Sequence, residues 1–159
     1  MRQPPKTMIA KDAIKAWQLR ATIMTILFIA VTIGAFILAY LEFISIWIAY
    51  AILALTVIDA ILEIFIIPKL RWRRWRYEVF EQEIYIQRGI IVMKRTLVPM
   101  IRVQHVDTKQ GPILKKYGLA SLTISTAATT HEIPALLEEE AADLRDQISE
   151  LARVDQDDV

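Results

Sequence analysis

The sequence predicts a two-helix transmembrane hairpin followed by an α+β domain of about seven short antiparallel strands and one closing helix. Three observations predict it. Ala21 to Leu41 and Phe43 to Pro68 are long apolar runs parted by Glu42. From Tyr77 the apolar period changes from helical to two, with turn residues between short runs. From Ala135 to Arg153 helical spacing returns, with Leu137, Ala141, Leu144, Ile148 and Leu151 on one stripe.

Composition agrees. A 55% hydrophobic fraction over 159 residues and a mean hydropathy of +0.36 are high for a water-soluble chain. The chain has no cysteine, which removes disulfides, thiolate metal sites and a cysteine nucleophile. The net charge of +1 hides an asymmetry: residues 1–76 carry ten Lys/Arg against four Asp/Glu, and residues 77–159 nine against fourteen. An acidic soluble part argues against nucleic-acid binding, which needs a broad positive face.

Residues 1–20 form a basic arm carrying Arg2, Lys6, Lys11, Lys15 and Arg20. Pro4-Pro5 opposes helix at its start, whereas Ala10, Ile14 and Trp17 have helical spacing. The arm therefore reads either as a disordered leader or as one ending in an interfacial helix over Ala10 to Arg20. Residues 21–68 form the hairpin, with spans over about 21–41 and 43–68; each run exceeds the ~20 residues needed to cross the ~30 Å hydrocarbon core. Basic residues flank both free ends and none lies in the connection, so the positive-inside rule places both termini in the cytoplasm. Ala30 with Gly34, and Ala35 with Ala39, are small pairs that permit close helix approach. Tyr40, Trp47 and Tyr50 suit the outer interface.

Asp59 and Glu63 lie in the second span at i,i+4, about 15 Å and 9 Å below the cytoplasmic boundary. A carboxylate at such depth costs about 2.5–3.5 kcal/mol on insertion scales, so it must face protein or water. Three readings stand. Glu63 snorkels toward Arg20 while Asp59 bonds Thr25 or Thr32; or the pair meets a basic residue of a partner subunit; or it forms a proton or cation site. The last requires an oligomer, since two helices enclose no pathway.

Residues 69–76 form a basic, aromatic collar of Lys69, Arg71, Trp72, Arg73, Arg74, Trp75 and Arg76. Each cation beside an anionic leaflet contributes about 1 kcal/mol. Trp72 and Trp75, three apart, are expected on the headgroup-facing side of a continued helix, unless the collar is an ordinary stop-transfer flank.

Residues 77–153 form the soluble domain and 154–159 an acidic tail. Strands are expected over 77–80, 84–88, 90–95, 101–110, 119–125 and 129–133, with Pro99 confining the 96–99 piece to an edge or bend. Ile113 to Tyr117 is a single helical turn. Pro134 is expected at the first position of the last helix, where Glu138, Glu139 and Glu140 suit the helix dipole.

Gly89-Ile90-Ile91, Arg95-Thr96, Val98-Pro99 and Ile101-Arg102-Val103-Gln104-His105-Val106 resemble the bacterial membrane-flanked domain, the second bacterial pleckstrin-homology-like family. Gln110-Gly111-Pro112-Ile113 through Tyr117-Gly118-Leu119-Ala120 and Leu122 match it better still. With the arm and hairpin included, the likeness spans nearly the whole chain. It implies two packed, roughly orthogonal antiparallel sheets capped by a C-terminal helix, in a multi-pass protein of a bacterial cell membrane. It further implies association with cell-envelope defence and with larger membrane relatives bearing repeated copies of the domain. No catalytic residues come with it. Gly89, Gly111 and Gly118 mark turns, while Gln104, His105, Gln110 and Tyr117 either bond across the sheets or present a binding surface.

Catalytic chemistry has little material. His131-Glu132 begins like a zinc-protease motif, but Pro134 bars the helix and no second histidine follows. Ser121 and Ser125 lack a glycine-flanked elbow, and four scattered glycines make no phosphate loop. The expectation is a non-enzymatic membrane module without metal or cofactor, meeting anionic lipid and assembling with itself or a larger relative. The second expectation is a component that handles lipid or antimicrobial peptide through the collar and the intramembrane acids. For inositide recognition only Lys94, Arg95, Lys115 and Lys116 are candidates.

Overall fold

The computed structural model describes residues 3–157, with side chains through Val154. Arg2 of the arm and Asp158 of the tail lie outside the described residues. Two compact units emerge: residues 15–69, and residues 70–159 joined by the first fourteen.

The first unit is the helical pair. Helix α1 runs over Ala13–Tyr40, 28 residues. The helix therefore begins eight residues before Ala21, and among the described residues no separate interfacial helix precedes it, because nothing between Trp17 and Ala21 interrupts backbone bonding. Helix α1 ends in a Schellman cap: Phe43 N–H donates to Leu38 O and Glu42 N–H to Ala39 O, with Glu42 in the left-handed region at φ 60°. The second helical run covers Ile46–Arg74, 29 residues, comprising α2 (Ile46–Ile61), a π-turn at Leu62–Ile66 and α3 (Ile67–Arg74). Both runs are long and apolar enough to cross a membrane.

Small and hydroxyl side chains make the seam of the pair. Ala21, Thr32, Ala35, Ala49 and Thr56 are buried, while Ile26, Leu27, Val31 and Leu55 lie outward. Of the two small pairs expected at contact, Ala35 is buried but Ala30 is exposed, and a Cβ on Gly34 would meet nothing within 4 Å. The Thr32 and Thr56 hydroxyls lie 3.0 Å apart, and each also reaches its own i−4 carbonyl, Phe28 or Ile52, at 2.9 Å. Two hydroxyl protons serve three contacts, so one threonine donates to the other while the second donates to its carbonyl. Near the other end, Phe36 and Tyr50 pack edge to face at 5.4 Å.

The second unit holds two antiparallel sheets. One has the order β1-β2-β3-β4, with β1 Thr7–Met8, β2 Arg76–Val79, β3 Glu83–Arg88 and β4 Lys94–Pro99. The other has the order β5-β6-β7, with β5 Val103–Lys109, β6 Leu119–Thr126 and β7 Thr130–Leu137. A 3₁₀ turn at Met100–Arg102 joins the sheets, and a short helix α4 (Pro112–Lys116) links β5 to β6. Helix α5 (Glu138–Asp157) packs on β5, β6, β7 and the 3₁₀ turn, running past the expected boundary at Arg153. Ile84, Met100, Leu119, Leu122, Ile124, Ile133, Leu136 and Ile148 are fully buried between these layers.

Three expectations change. The arm is not a free leader: β1 pairs with β2, Thr7 opposite Tyr77 and Met8 opposite Arg76, and Ala10 N–H donates to Ala135 O of β7. Pro5 and Ile9 are buried, which holds the arm across the gap between the sheets. Residues 90–93 form no strand; β4 begins at Lys94 and continues through Pro99 as an edge strand, where the missing proline N–H faces no partner. Pro134 does not open the last helix. It lies in β7, beside a register shift and Ala135 at φ 52°, because Ile133, Ala135 and Leu136 are all drawn into the core. Leu137 thereby leaves the helical stripe and is 44% exposed.

Candidate functional site

Helix α3 carries the basic stretch, with Lys69, Arg73 and Arg74 exposed, Arg71 half-buried, and Arg76 already in β2. The two tryptophans differ in their surroundings: Trp72 is half-buried and Trp75 buried. Trp75 is 7% exposed, and Trp72 Nε1 donates to the Ile9 carbonyl at 3.1 Å. The arm supplies the acceptor for the Trp72 N–H, so this indole ties the end of the second helical run to the arm. The collar thus has exposed cations at Lys69, Arg73 and Arg74 and its most buried ring at Trp75.

In the helical unit, Asp59 and Glu63 are half-buried, and among the described residues neither has a hydrogen bond or ion pair. The local partners expected for Asp59 are occupied: Thr25 Oγ1 donates to Ala21 O, and Thr32 is tied to Thr56 and Phe28 O. The expected approach of Glu63 to Arg20 is likewise not made; Arg20 is exposed. The π-turn begins between the two acids, so the α-helical spacing that aligns i and i+4 is broken at Glu63. Its cause is two residues downstream of its end. Pro68 has no N–H for the Ile64 carbonyl four residues before it, and its ring would press on that carbonyl. The Ile64 carbonyl instead accepts from Gln18 Nε2 at 3.0 Å. Sequence reading passed over Gln18; an amide on the first helix facing a proline-broken turn on the second was the available signal.

The motif residues divide. Gln110 Nε2 reaches both Leu119 O (3.0 Å) and Glu138 Oε2 (3.1 Å), and Gly118 O accepts the Glu138 N–H, so these two pin the start of α5. Tyr117, half-buried, ends α4, and Gly111 precedes α4 in extended geometry. Gly89 sits at φ 125°, and a Cβ there would lie 1.9 Å from Val92 O, so no other residue fits this turn. Gln104 and His105 are exposed, the His105 imidazole 3.1 Å from the Asp107 carboxylate.

A cleft of about 510 Å³ opens where the end of β4, the 3₁₀ turn and the β6–β7 hairpin meet, lined by Leu97, Pro99, Ile101, Arg102, Gln104 and His131 among others. His131 Nε2 lies 3.0 Å from Thr129 Oγ1. Partial burial, then the positive fields of Arg88 and Lys94, hold its pKa below the usual 6.5. Burial, then Glu140, push the Tyr77 phenol above its usual 10.0. No group of three or more His, Cys, Asp or Glu side chains placed to hold a metal occurs among the described residues.

Two membrane-length apolar helices and two antiparallel sheets with a C-terminal helix define a membrane protein bearing a pleckstrin-homology-like domain. The profile of the Bacterial PH domain family matches residues 19–152. The "UPF0699 transmembrane protein YdbS" of Bacillus subtilis (strain 168) is 52% identical over 159 residues, covering all of both chains. The chain belongs to the Bacterial PH domain family. A second relative from the same organism, the "UPF0699 transmembrane protein YdbT", is 29% identical over 81 residues, which are 51% of this chain but 16% of that one. No solved structure matches.

Proposed function

We propose that this protein is a non-enzymatic assembly module of a bacterial cell membrane, with both termini and its PH-like domain in the cytoplasm. It assembles with itself or with a larger membrane relative carrying repeated copies of the domain, and serves in cell-envelope defence or stress. The observation that carries the reading is the pair of half-buried carboxylates, Asp59 and Glu63, without an ionic partner among the described residues of their own chain. A carboxylate at that depth costs about 2.5–3.5 kcal/mol on insertion scales, and a basic or hydroxyl group from a neighbouring subunit offsets it. The 81-residue match to a much longer transmembrane relative supports a partner of that kind. The cations at both free ends of the hairpin support the orientation.

The test is native mass spectrometry of the full chain extracted gently from membrane, as wild type and as Asp59→Asn/Glu63→Gln. The expected outcome is a defined oligomer or hetero-complex that dissociates in the variant. A monomer in both, or an assembly indifferent to the substitutions, overturns the proposal. The alternative, handling of lipid or antimicrobial peptide, retains the acids but has less aromatic surface at the collar, since Trp75 is buried and Trp72 is bonded to Ile9.

A further inference from the structure

The two most exposed large apolar side chains outside the helical pair are neighbours: Ile91 is 94% exposed and Val92 79%. They form the tip of the β3–β4 loop, residues 89–93, whose turn is set by Gly89. A water-facing loop gains nothing from such a pair, and a turn with a sterically compulsory glycine holds them outward rather than letting them fold back.

The register of the first sheet says which end of the domain this tip occupies. Helix α3 ends at Arg74 and β2 starts at Arg76, so one residue, Trp75, joins the membrane-length helix to the sheet. Arg76 is paired with Gln87, and Gln87 in turn with Arg95; the next row is Arg88 with Lys94. The 89–93 loop therefore continues the sheet at the end where the chain arrives from the helix, and chain length keeps Ile91 within about 20 Å of Arg76.

Charge divides along the same axis. Arg76, Arg88, Lys94 and Arg95 gather at this end, whereas Glu78, Glu81 and Glu83 lie in or next to the β2–β3 turn at the other. Arg95 is held by its bond to Gln87 Oε1 at 3.1 Å. Beyond the larger effect of its own partial burial, His131 in β7 is held below its usual pKa by Arg88 and Lys94 of this end. An apolar tip ringed by cations is the surface that an anionic bilayer complements, combining buried apolar area with attraction to acidic headgroups. Tethering by a single residue makes insertion effectively intramolecular.

We propose that Ile91 and Val92 insert into the anionic leaflet of the bilayer that holds the protein's own helices, with Arg88, Lys94 and Arg95 meeting its headgroups. The loop is then a third membrane contact besides the two helices, one that binds the bilayer as a surface rather than any single lipid. It is independent of assembly and of Asp59 and Glu63.

The natural absence of cysteine makes the test direct. The full chain is made as Ile91→Cys and, for the opposite end of the sheet, Glu81→Cys. Each is labelled with an environment-sensitive fluorophore and reconstituted into phosphatidylglycerol/phosphatidylcholine vesicles with brominated acyl chains. The expected result is a blue shift and bromine quenching at position 91 alone, both lost when phosphatidylglycerol is omitted or when Lys94→Gln/Arg95→Gln is added. A label at 91 as water-exposed and unquenched as that at 81 overturns the proposal. So does a blue shift without quenching, which marks a protein contact. So too does quenching only when the brominated lipid is in separately added vesicles, which marks an opposing membrane.

Discussion

Proline inside a membrane helix leaves a carbonyl without a donor, and in hydrocarbon no water can take its place. Here the Ile64 carbonyl is answered by one side chain, Gln18. Replacing Gln18 with Met should cost about 1 kcal/mol, within the range for lost polar contacts in membranes. Pro68→Ala restores an N–H at the broken position, so the Gln18 effect should shrink in that background. A double-mutant cycle on thermal unfolding in detergent would check it, and equal Gln18 effects in both backgrounds would refute the pairing. Neither residue's role can be read alone: Pro68 ends an apolar run, and Gln18 is one polar residue of the basic arm. Their meaning lies in the contact of Gln18 with the Ile64 carbonyl, 46 positions away in sequence. The same is true of Trp72, whose spacing from Trp75 is legible but whose bond to Ile9 is not.

At the scale of elements, the arm is the piece that sequence patterns could not reveal. Strand β1 is two residues long, too short to show alternation, and follows a proline pair that reads as disorder. It forms because β2 offers an unpaired edge and because Ile9, 2% exposed, and Pro5 find apolar cover. Ile9→Ala should therefore destabilise the sheet unit by about 2–4 kcal/mol, as for other fully buried aliphatic truncations. Hydrogen exchange should rise at Ala10, whose N–H is bonded to Ala135, and along β2. Unchanged protection would show the arm to be dispensable. The spans and α5 were legible for the opposite reason: each repeats its pattern over several turns, and burial follows the pattern. Pro134 misled because its preference for a helix start is weaker than the demand of Ile133, Ala135 and Leu136 for the core.

For the molecule as a whole, charge placement is the organising quantity. Arginines at 71, 73 and 74 close the second membrane-length helix and Arg76 follows at the start of β2, each contributing about 1 kcal/mol beside an anionic leaflet. Changing all four to Gln should mix the orientation of the soluble domain, read by topology reporters fused at the C-terminus. Uniform orientation with normal recovery of partners would reduce the stretch to a flank.

Sequence by itself determined that two apolar helices pair as a hairpin, that an α+β domain follows, and where the cations gather. These rest on composition and period, which are properties of neighbours along the chain. Tertiary structure alone decided that the arm completes a sheet, that Trp75 is buried while Trp72 bonds to Ile9, and that Gln18 answers the carbonyl Pro68 leaves free. It also set the apolar loop tip and the cations at the sheet end where the chain arrives from the membrane helix. Those outcomes depend on which donors, acceptors and apolar surfaces meet after folding, and no local pattern encodes a meeting between distant segments.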